Sequence, residues 1–379
     1  MNTPIRLMLT GGGTGGHLFP AIATAEALCD RIPGSEVLFV GTKRKMDKAS
    51  LEQYGYATCS IHSRGLKGKS FFSLLQGMLV LPISCVEAIY HILRFKPHLV
   101  VGVGGYVTGP VVAAARLLGK PTLIHEQNSV PGLANRKLGS LVAKICLSLP
   151  GSEKSFPREK TVLTGNPVRK ELLELAGNQT AETKKKKTLT LLVLGGSLGA
   201  HRINEIVSEA FSLGVSALKN VKVIHQTGSL DVDMVKNKYN NNHIESIVAP
   251  FFTDMAAIYK EADLLVSRAG ATTLAELSVL GKPAILIPYP YAADNHQEKN
   301  GEYYVQGGGA KMFIEKNLTP ELLAEQLEVL FTDPEKLKEM GKAMQERAFP
   351  KAAERIVDEC LNLLKQKSKT ENRKPQSHV

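Results

Sequence analysis

Residues Thr10–Ala21 read TGGGTGGHLFPA, five glycines among six positions and then a histidine. Backbone without β-carbons lets a phosphate approach the N–H groups at the start of a helix. Gly11, Gly13 and Gly16 fit the G-x-G-x-x-G spacing of dinucleotide-binding turns. A dehydrogenase would also need an acidic residue ending its second strand to hold the ribose diol. Here EVLFVGTKRK ends in Gly41 and Thr42 followed by lysines, which weakens the nicotinamide reading. The other readings are a phosphate turn for a different ligand, or glycines that serve only a tight connection. His17, in the first turn of the expected helix beside the N–H groups of Thr14, Gly15 and Gly16, is a candidate general base. The helix dipole at that end disfavours the imidazolium and keeps the basic form populated. Capping, or positioning of a bound hydroxyl, is the alternative role.

Three further turns share this chemistry: GVGGYVTGP (Gly102 to Pro110), GGSLGA (Gly195 to Ala200) and SRAGATTLAE (Ser267 to Glu276). The first two put glycines after an apolar strand, and the third opens a helix with small hydroxyl residues able to cap it and offer N–H groups to an anion. Two turns fall in each half of the chain, which suggests two phosphate-bearing ligands. The pair Asp231 and Asp233 resembles a metal-binding DxD, but it follows QTGSL and reads as the opening of a surface helix. No metal is expected.

These turns need strands and helices to hold them. IRLMLT, EVLFVG, HLVVGVGG, PTLIHE and AKICLS in the first half, and LTLLVLGG, VKVIHQ, SIVAP, ADLLVS and PAILIP in the second, are short apolar runs separated by helical patterns. Near-continuous apolar strands alternating with helices imply parallel sheets covered on both faces. IRLMLTGGGTGGH and LTLLVLGGSLGAH repeat one strand–turn–helix theme, so the fold class is α/β with two doubly wound, Rossmann-like domains. The boundary is placed after TVLTGNPVRKELLEL, where AGNQTAETKKKKT reads as a solvated connector. KQKSKTENRKPQSHV at the far end is too polar to fold and is expected to be mobile.

A length of 379 residues with 43% apolar content also suits two cores. Cys29, Cys59, Cys85, Cys146 and Cys360 lie far apart with no CxxC pair, so they read as cytosolic thiols rather than a zinc or disulfide framework. No charged-then-apolar leader precedes the first strand. Charge is one-sided, with 19 Lys and Arg against 9 Asp and Glu in residues 1–168, but 28 against 27 in the remainder. Such a field favours an anionic surface, nucleic acid or an acidic membrane leaflet, or is simply a solvated surplus. Only 6% of residues are aromatic and no interleaved basic–aromatic motif occurs, so nucleic acid is disfavoured.

Taken in order, TGGGTGGHLFPA, GVGGYVTGP, HEQN, GNPVR, GGSLGA, SRAGATTLAEL and DNHQEKN closely resemble the MurG family, the peptidoglycan N-acetylglucosaminyltransferases that convert lipid I to lipid II, over roughly residues 4–365. The resemblance implies a GT-B fold, two Rossmann-like domains facing across a cleft. Its organisation would be an acceptor-binding, membrane-facing domain over 1–168 and a UDP-GlcNAc-binding domain over 169–349. A helix at about 350–365 would pack back on the first domain, ahead of a mobile tail over 366–379.

The implied UDP-GlcNAc contacts are Thr14, Gly15, Gly16, Asn128, Arg169, Ser197, Phe252, Ala271, Thr272, Thr273, Leu274, Ala275, Glu276 and Gln297. Arg169 would fork onto the diphosphate, Glu276 would take the ribose hydroxyls, and backbone groups at Phe252 would read the uracil edge. Gly13, Gly104, Gly105 and Tyr106 would cradle the acceptor's diphosphate. His17 would take the proton of the attacking 4-hydroxyl, with Glu126 as the second candidate base; His125 and Glu126 otherwise shape their strand end. The implied reaction is a metal-independent, cofactor-free single displacement that gives a β-1,4 bond. Departures from the family pattern are Leu198, the His201–Arg202 order, and His296 before Gln297.

A polyprenyl-linked acceptor would bring the first domain to the membrane. HSRGLKGKSFFSLLQGMLVLP joins Arg64, Lys67 and Lys69 to Phe71, Phe72, Leu74, Leu75, Met78 and Leu79, a composition suited to peripheral binding at an anionic inner-membrane surface on the cytoplasmic face. Its uncharged run, Ser70 to Val86, is shorter than the ~20 residues of a span, so insertion is not expected; an ordinary core helix is the competing reading. The competing functions are a UDP-GlcNAc epimerase of the same fold and, further off, an NAD-dependent oxidoreductase.

Overall fold

Valine, isoleucine and leucine runs buried on both faces form the central strands, the edge strands Ala57–Ser60, Thr161–Leu163 and Ser246–Ala249 are partly exposed, and each sheet is parallel throughout. The computed structural model describes residues 3–12, 15–42, 51–52, 54–63, 71–178, 188–196 and 199–372. These divide into a first unit that runs to Arg169 and resumes at Pro350, and a second unit, Lys170–Phe349.

In the first unit the strands are β1 (Arg6–Thr10), β2 (Glu36–Gly41), β3 (Ala57–Ser60), β4 (Leu99–Gly102), β5 (Thr122–Glu126), β6 (Lys144–Leu147) and β7 (Thr161–Leu163). Their spatial order is β3-β2-β1-β4-β5-β6-β7. The order reverses between β1 and β4, which lie side by side with Thr10 opposite Gly102. The helix Gly15–Arg31 leaves the end of β1, and the helix Thr108–Leu117 follows the end of β4. One core joins Leu7 and Leu9 of β1 and Leu99 and Val101 of β4 to Ile22 and Leu28 of the first helix.

The same core takes in Ile356, Val357, Cys360 and Leu361 from the helix Ala352–Asn372, the last described element. That helix corrects one expectation, because the chain stays helical seven residues past Lys365 instead of becoming a mobile tail at 366. Lysine and glutamine are good helix formers, and Lys367 Nζ ties this end to the Gly119 carbonyl at 3.0 Å. Arg169, grouped with the second domain from sequence, falls in the first unit.

The second unit holds β8 (Thr190–Leu194), β9 (Lys222–Gln226), β10 (Ser246–Ala249), β11 (Leu264–Ser267), β12 (Ala284–Leu286) and β13 (Ala310–Met312), in the order β10-β9-β8-β11-β12-β13. Its reversal lies between β8 and β11, with Leu194 opposite Ser267. Leu191, Val193, Ile203, Phe211, Val266 and Leu327 are among the residues of its core. The connector lysines after Asn178 lie outside the described residues.

Ile356 is fully buried, whereas Leu230 is 94% exposed. Replacing Ile356 with alanine should cost about 2–5 kcal/mol from lost burial and the cavity left behind. Leu230→Ala should stay within about 0.5 kcal/mol. Urea unfolding followed by circular dichroism checks the pair, and equal midpoints would mean that the C-terminal helix is not part of the first core.

Candidate functional site

In an open parallel sheet, ligands bind beyond the carboxyl ends of the strands where the strand order reverses. All four glycine turns picked out from sequence fall at such a reversal: those after β1 and β4 in the first unit, and those after β8 and β11 in the second.

In the first unit the two turns touch backbone to backbone. Gly105 has φ +87°, and a β-carbon there would sit 2.7 Å from the Gly12 carbonyl oxygen. Gly104 has φ +103°, and a β-carbon on it would lie 2.9 Å from His17 Cε1. The His17 ring is therefore packed against bare main chain, from the first turn of the helix Gly15–Arg31. Gly15 and Gly16 share that turn, while Gly13 and Thr14 lie outside the described residues. Tyr106, next to the tight pair, is exposed.

The other side of His17 meets the segment after β5. His17 Nδ1 is 3.0 Å from Gln127 Oε1. Gln127 Nε2 donates to the Val103 carbonyl at 2.9 Å and lies 3.2 Å from His125 Nδ1. His125 Nε2 is 2.9 Å from Ser148 Oγ and 3.2 Å from the Gly165 carbonyl. Burial brings the His125 pKa down to about 4, with the nearby His17 adding to the shift and the Gly165 contact opposing it. This ring is neutral at physiological pH.

Glu126 is buried, and its carboxylate organises its own loop. Oε1 accepts from the Asn128 main-chain N–H at 3.0 Å and from Asn128 Nδ2 at 3.3 Å; Oε2 accepts from the Gly132 N–H at 3.1 Å and from Asn135 Nδ2 at 2.8 Å. Arg169 is almost completely buried, its guanidinium 4.7 Å from the centre of the Phe19 ring, two residues along the helix from His17.

In the second unit, Gly195, Gly196 and Gly199 form the turn after β8; Ser197 and Leu198 lie outside the described residues. The turn after β11 leads into the helix Ala271–Leu280, whose N-cap is Gly270 with no side-chain cap. Ala271, Thr272, Leu274, Ala275 and Glu276 are buried and Thr273 is half-buried. Leu274 belongs to the core-facing side, so only its main chain can serve a ligand. Glu276 Oε2 accepts from Tyr259 OH at 2.8 Å. Gln297 Oε1 accepts from the Tyr289 N–H at 2.9 Å, and Arg268 donates to the Ile287 and Pro288 carbonyls at 3.1 and 3.2 Å, shaping the same loop.

Three functional candidates escaped the sequence reading. Gln127 stood unassigned inside HEQN. Gln226 ends β9 and bridges the Gly196 carbonyl at 3.2 Å to the Phe252 N–H at 3.0 Å; a buried amide closing an apolar strand was its only signal. Tyr259, which donates to Glu276, carried no signal in the sequence. Asp231, the first member of the DxD, accepts from Asn204 Nδ2 at 2.7 Å and pairs with His201 Nδ1 at 2.9 Å. Among the described residues no group of three or more His, Cys, Asp or Glu is arranged to hold a metal.

Two parallel, doubly wound units with paired turns at each reversal match the GT-B fold class. Residues 7–147 match the glycosyltransferase family 28 N-terminal domain and residues 190–356 its C-terminal domain. A protein of Desulfotalea psychrophila named UDP-N-acetylglucosamine–N-acetylmuramyl-(pentapeptide) pyrophosphoryl-undecaprenol N-acetylglucosamine transferase is 56% identical over 360 residues, 95% of this chain and 97% of that protein. The crystal structure of MurG from Acinetobacter baumannii superposes with a TM-score of 0.72 at 32% identity, over 94% of this chain and 98% of that one. A UDP-GlcNAc 2-epimerase from Neisseria meningitidis reaches 0.67 at 15% identity, over 94% and 100% of the respective chains, which shows a shared fold alone. The chain belongs to the MurG family of glycosyltransferases.

The hydrogen bond to Asp231 raises the His201 pKa above the ordinary 6.5, reinforced by the charges of Asp231 and Glu205. An NMR titration should place His201 above that value and Asp231→Asn should bring it back; a titration curve unmoved by the substitution would remove Asp231 as the cause.

Proposed function

We propose that the protein transfers N-acetylglucosamine from UDP-GlcNAc to the 4-hydroxyl of undecaprenyl-diphospho-MurNAc-pentapeptide, with inversion at the anomeric carbon and formation of the β-1,4 bond of lipid II. The observation that carries this reading is the imidazole of His17 seated on the bare backbone of Gly104 at the strand reversal, in a chain 56% identical to a named transferase of this reaction. His17 takes the proton of the attacking hydroxyl as the new C–O bond forms, and UDP departs with the electron pair of the bond it loses.

Arg169 supplies a fork of donors suited to the diphosphate, and the helix Ala271–Leu280 opens with N–H groups suited to an anion, which supports a departure of UDP that needs no metal. Glu276, steadied by Tyr259, takes the ribose hydroxyls, and the main chain at Phe252 reads the base. Gln297 and Asn128 serve the sugar. Gly104, Gly105 and Tyr106 receive the acceptor's diphosphate. Glu126, with four N–H donors on its carboxylate, holds the Asn128 loop and leaves the proton to His17.

The acceptor's lipid calls for peripheral attachment to an anionic inner-membrane surface on its cytoplasmic face. Arg64, Lys67, Lys69 and the side chains of Phe71, Phe72, Leu74, Leu75, Met78 and Leu79 lie outside the described residues. The same helix, Phe71–Phe95, goes on to expose Ile83, Val86, Tyr90 and Leu93, spaced by three and four residues and hence on one face. Arg94 and Lys96 are exposed at its end, a pattern that suits an interfacial helix. Among the described residues no helix is long and apolar enough to cross a membrane.

UDP release from UDP-GlcNAc should require a lipid I analogue and persist in EDTA. His17→Ala should lower kcat by about 10²–10⁴-fold, the range for loss of a general base, with the KM for UDP-GlcNAc nearly unchanged. Release without acceptor, or a metal requirement, would overturn the reading. Equal losses in kcat and donor binding would make His17 a positioning group.

A further inference from the structure

The hydrogen bonds around Gln127 allow one assignment of protons. Its Nε2 lies 2.9 Å from the Val103 carbonyl, an atom that only accepts, so the amide cannot be turned round without setting two oxygens against each other. The second Nε2 hydrogen is directed to His125 Nδ1 at 3.2 Å, which therefore accepts. His125 then carries its proton on Nε2 and donates towards the Gly165 carbonyl at 3.2 Å and Ser148 Oγ at 2.9 Å. With Nε2 committed twice, Gln127 presents Oε1 to His17 Nδ1 at 3.0 Å. An amide oxygen has no hydrogen to give, so His17 Nδ1 must be the donor.

We propose that Gln127 is a positioning residue that locks neutral His17 in the Nδ1–H tautomer, so that the Nε2 lone pair is the one turned to the acceptor hydroxyl. The inference rests on the reading of His17 as the base and adds to it the atom that takes the proton and the group that selects it. Gly104 contributes by closeness, since its bare Cα lies against the ring and restricts its rotation about the Nδ1 contact. An amide in this place also differs from the carboxylate that often backs a histidine base. It fixes orientation without adding a negative charge that would hold the imidazolium once formed, so the proton can be given up after transfer.

The test uses the full-length protein labelled with 15N-histidine, at a pH above 8 where the free ring is neutral. Two-bond proton–nitrogen correlations distinguish a protonated from an unprotonated ring nitrogen, and the His17→Ala spectrum identifies the His17 signals. The expected result is a protonated Nδ1 and a bare Nε2 in the wild type, and a shift towards the other tautomer in Gln127→Leu. In parallel, kcat of Gln127→Leu should fall by about 10-fold or more, on the scale of a partly disabled general base, with the KM for UDP-GlcNAc within about twofold. A wild-type ring protonated on Nε2 overturns the proposal whatever the variants do, as does a Gln127→Leu protein that keeps the Nδ1–H pattern. If the tautomer shifts as expected and kcat does not change, the locking by Gln127 stands and the reading of His17 as the base fails.

Discussion

A parallel sheet whose strand order reverses in its middle sends the connections of two neighbouring strands to opposite faces, and the edge between them is left open. Both units of this protein are built on that constraint. At the β1–β4 reversal the opening is filled by backbone: Gly105 against Gly12, and Gly104 against His17, at separations that no β-carbon would fit. The imidazole stands where it does because a sheet order, two left-handed glycines and a helix start meet at one point.

Polar groups near that point are handled by partnership instead of by solvent. Glu126 would be costly to bury alone, and four N–H donors from its own loop compensate it. His125 is buried neutral and linked through an amide to His17. In the second unit Asn204 joins Asp231 to His225, whose pKa burial brings down to about 3.

Much of this was legible in the sequence. Apolar runs too continuous for one-sided strands gave parallel sheets, the glycine clusters after them gave the turns, and the repeated strand–turn–helix theme gave two units. The turn positions could be read because glycine spacing is local. Gln127 and His17 are 110 residues apart, and their contact depends on β5 lying next to β4, an order that apolar periodicity does not encode. Gln226 and Tyr259 were hidden for the same reason, as their partners come from other strands and helices. The helical run to Asn372 was missed because a polar segment was judged by its composition, whereas Lys367 anchors it to a carbonyl of a distant loop.

The path of the chain has a consequence for how the protein comes into being. The second unit is contained within Lys170–Phe349, but the first is interrupted by it and takes Ile356, Val357, Cys360 and Leu361 from the last helix. During synthesis the ribosome releases the whole of the second unit before the first has received the side chains that finish its interior. The half of the molecule that begins at the N-terminus is thus the later one to mature, and a nascent chain stalled before residue 352 would leave Leu7, Ile22 and Leu28 without the helix that covers them.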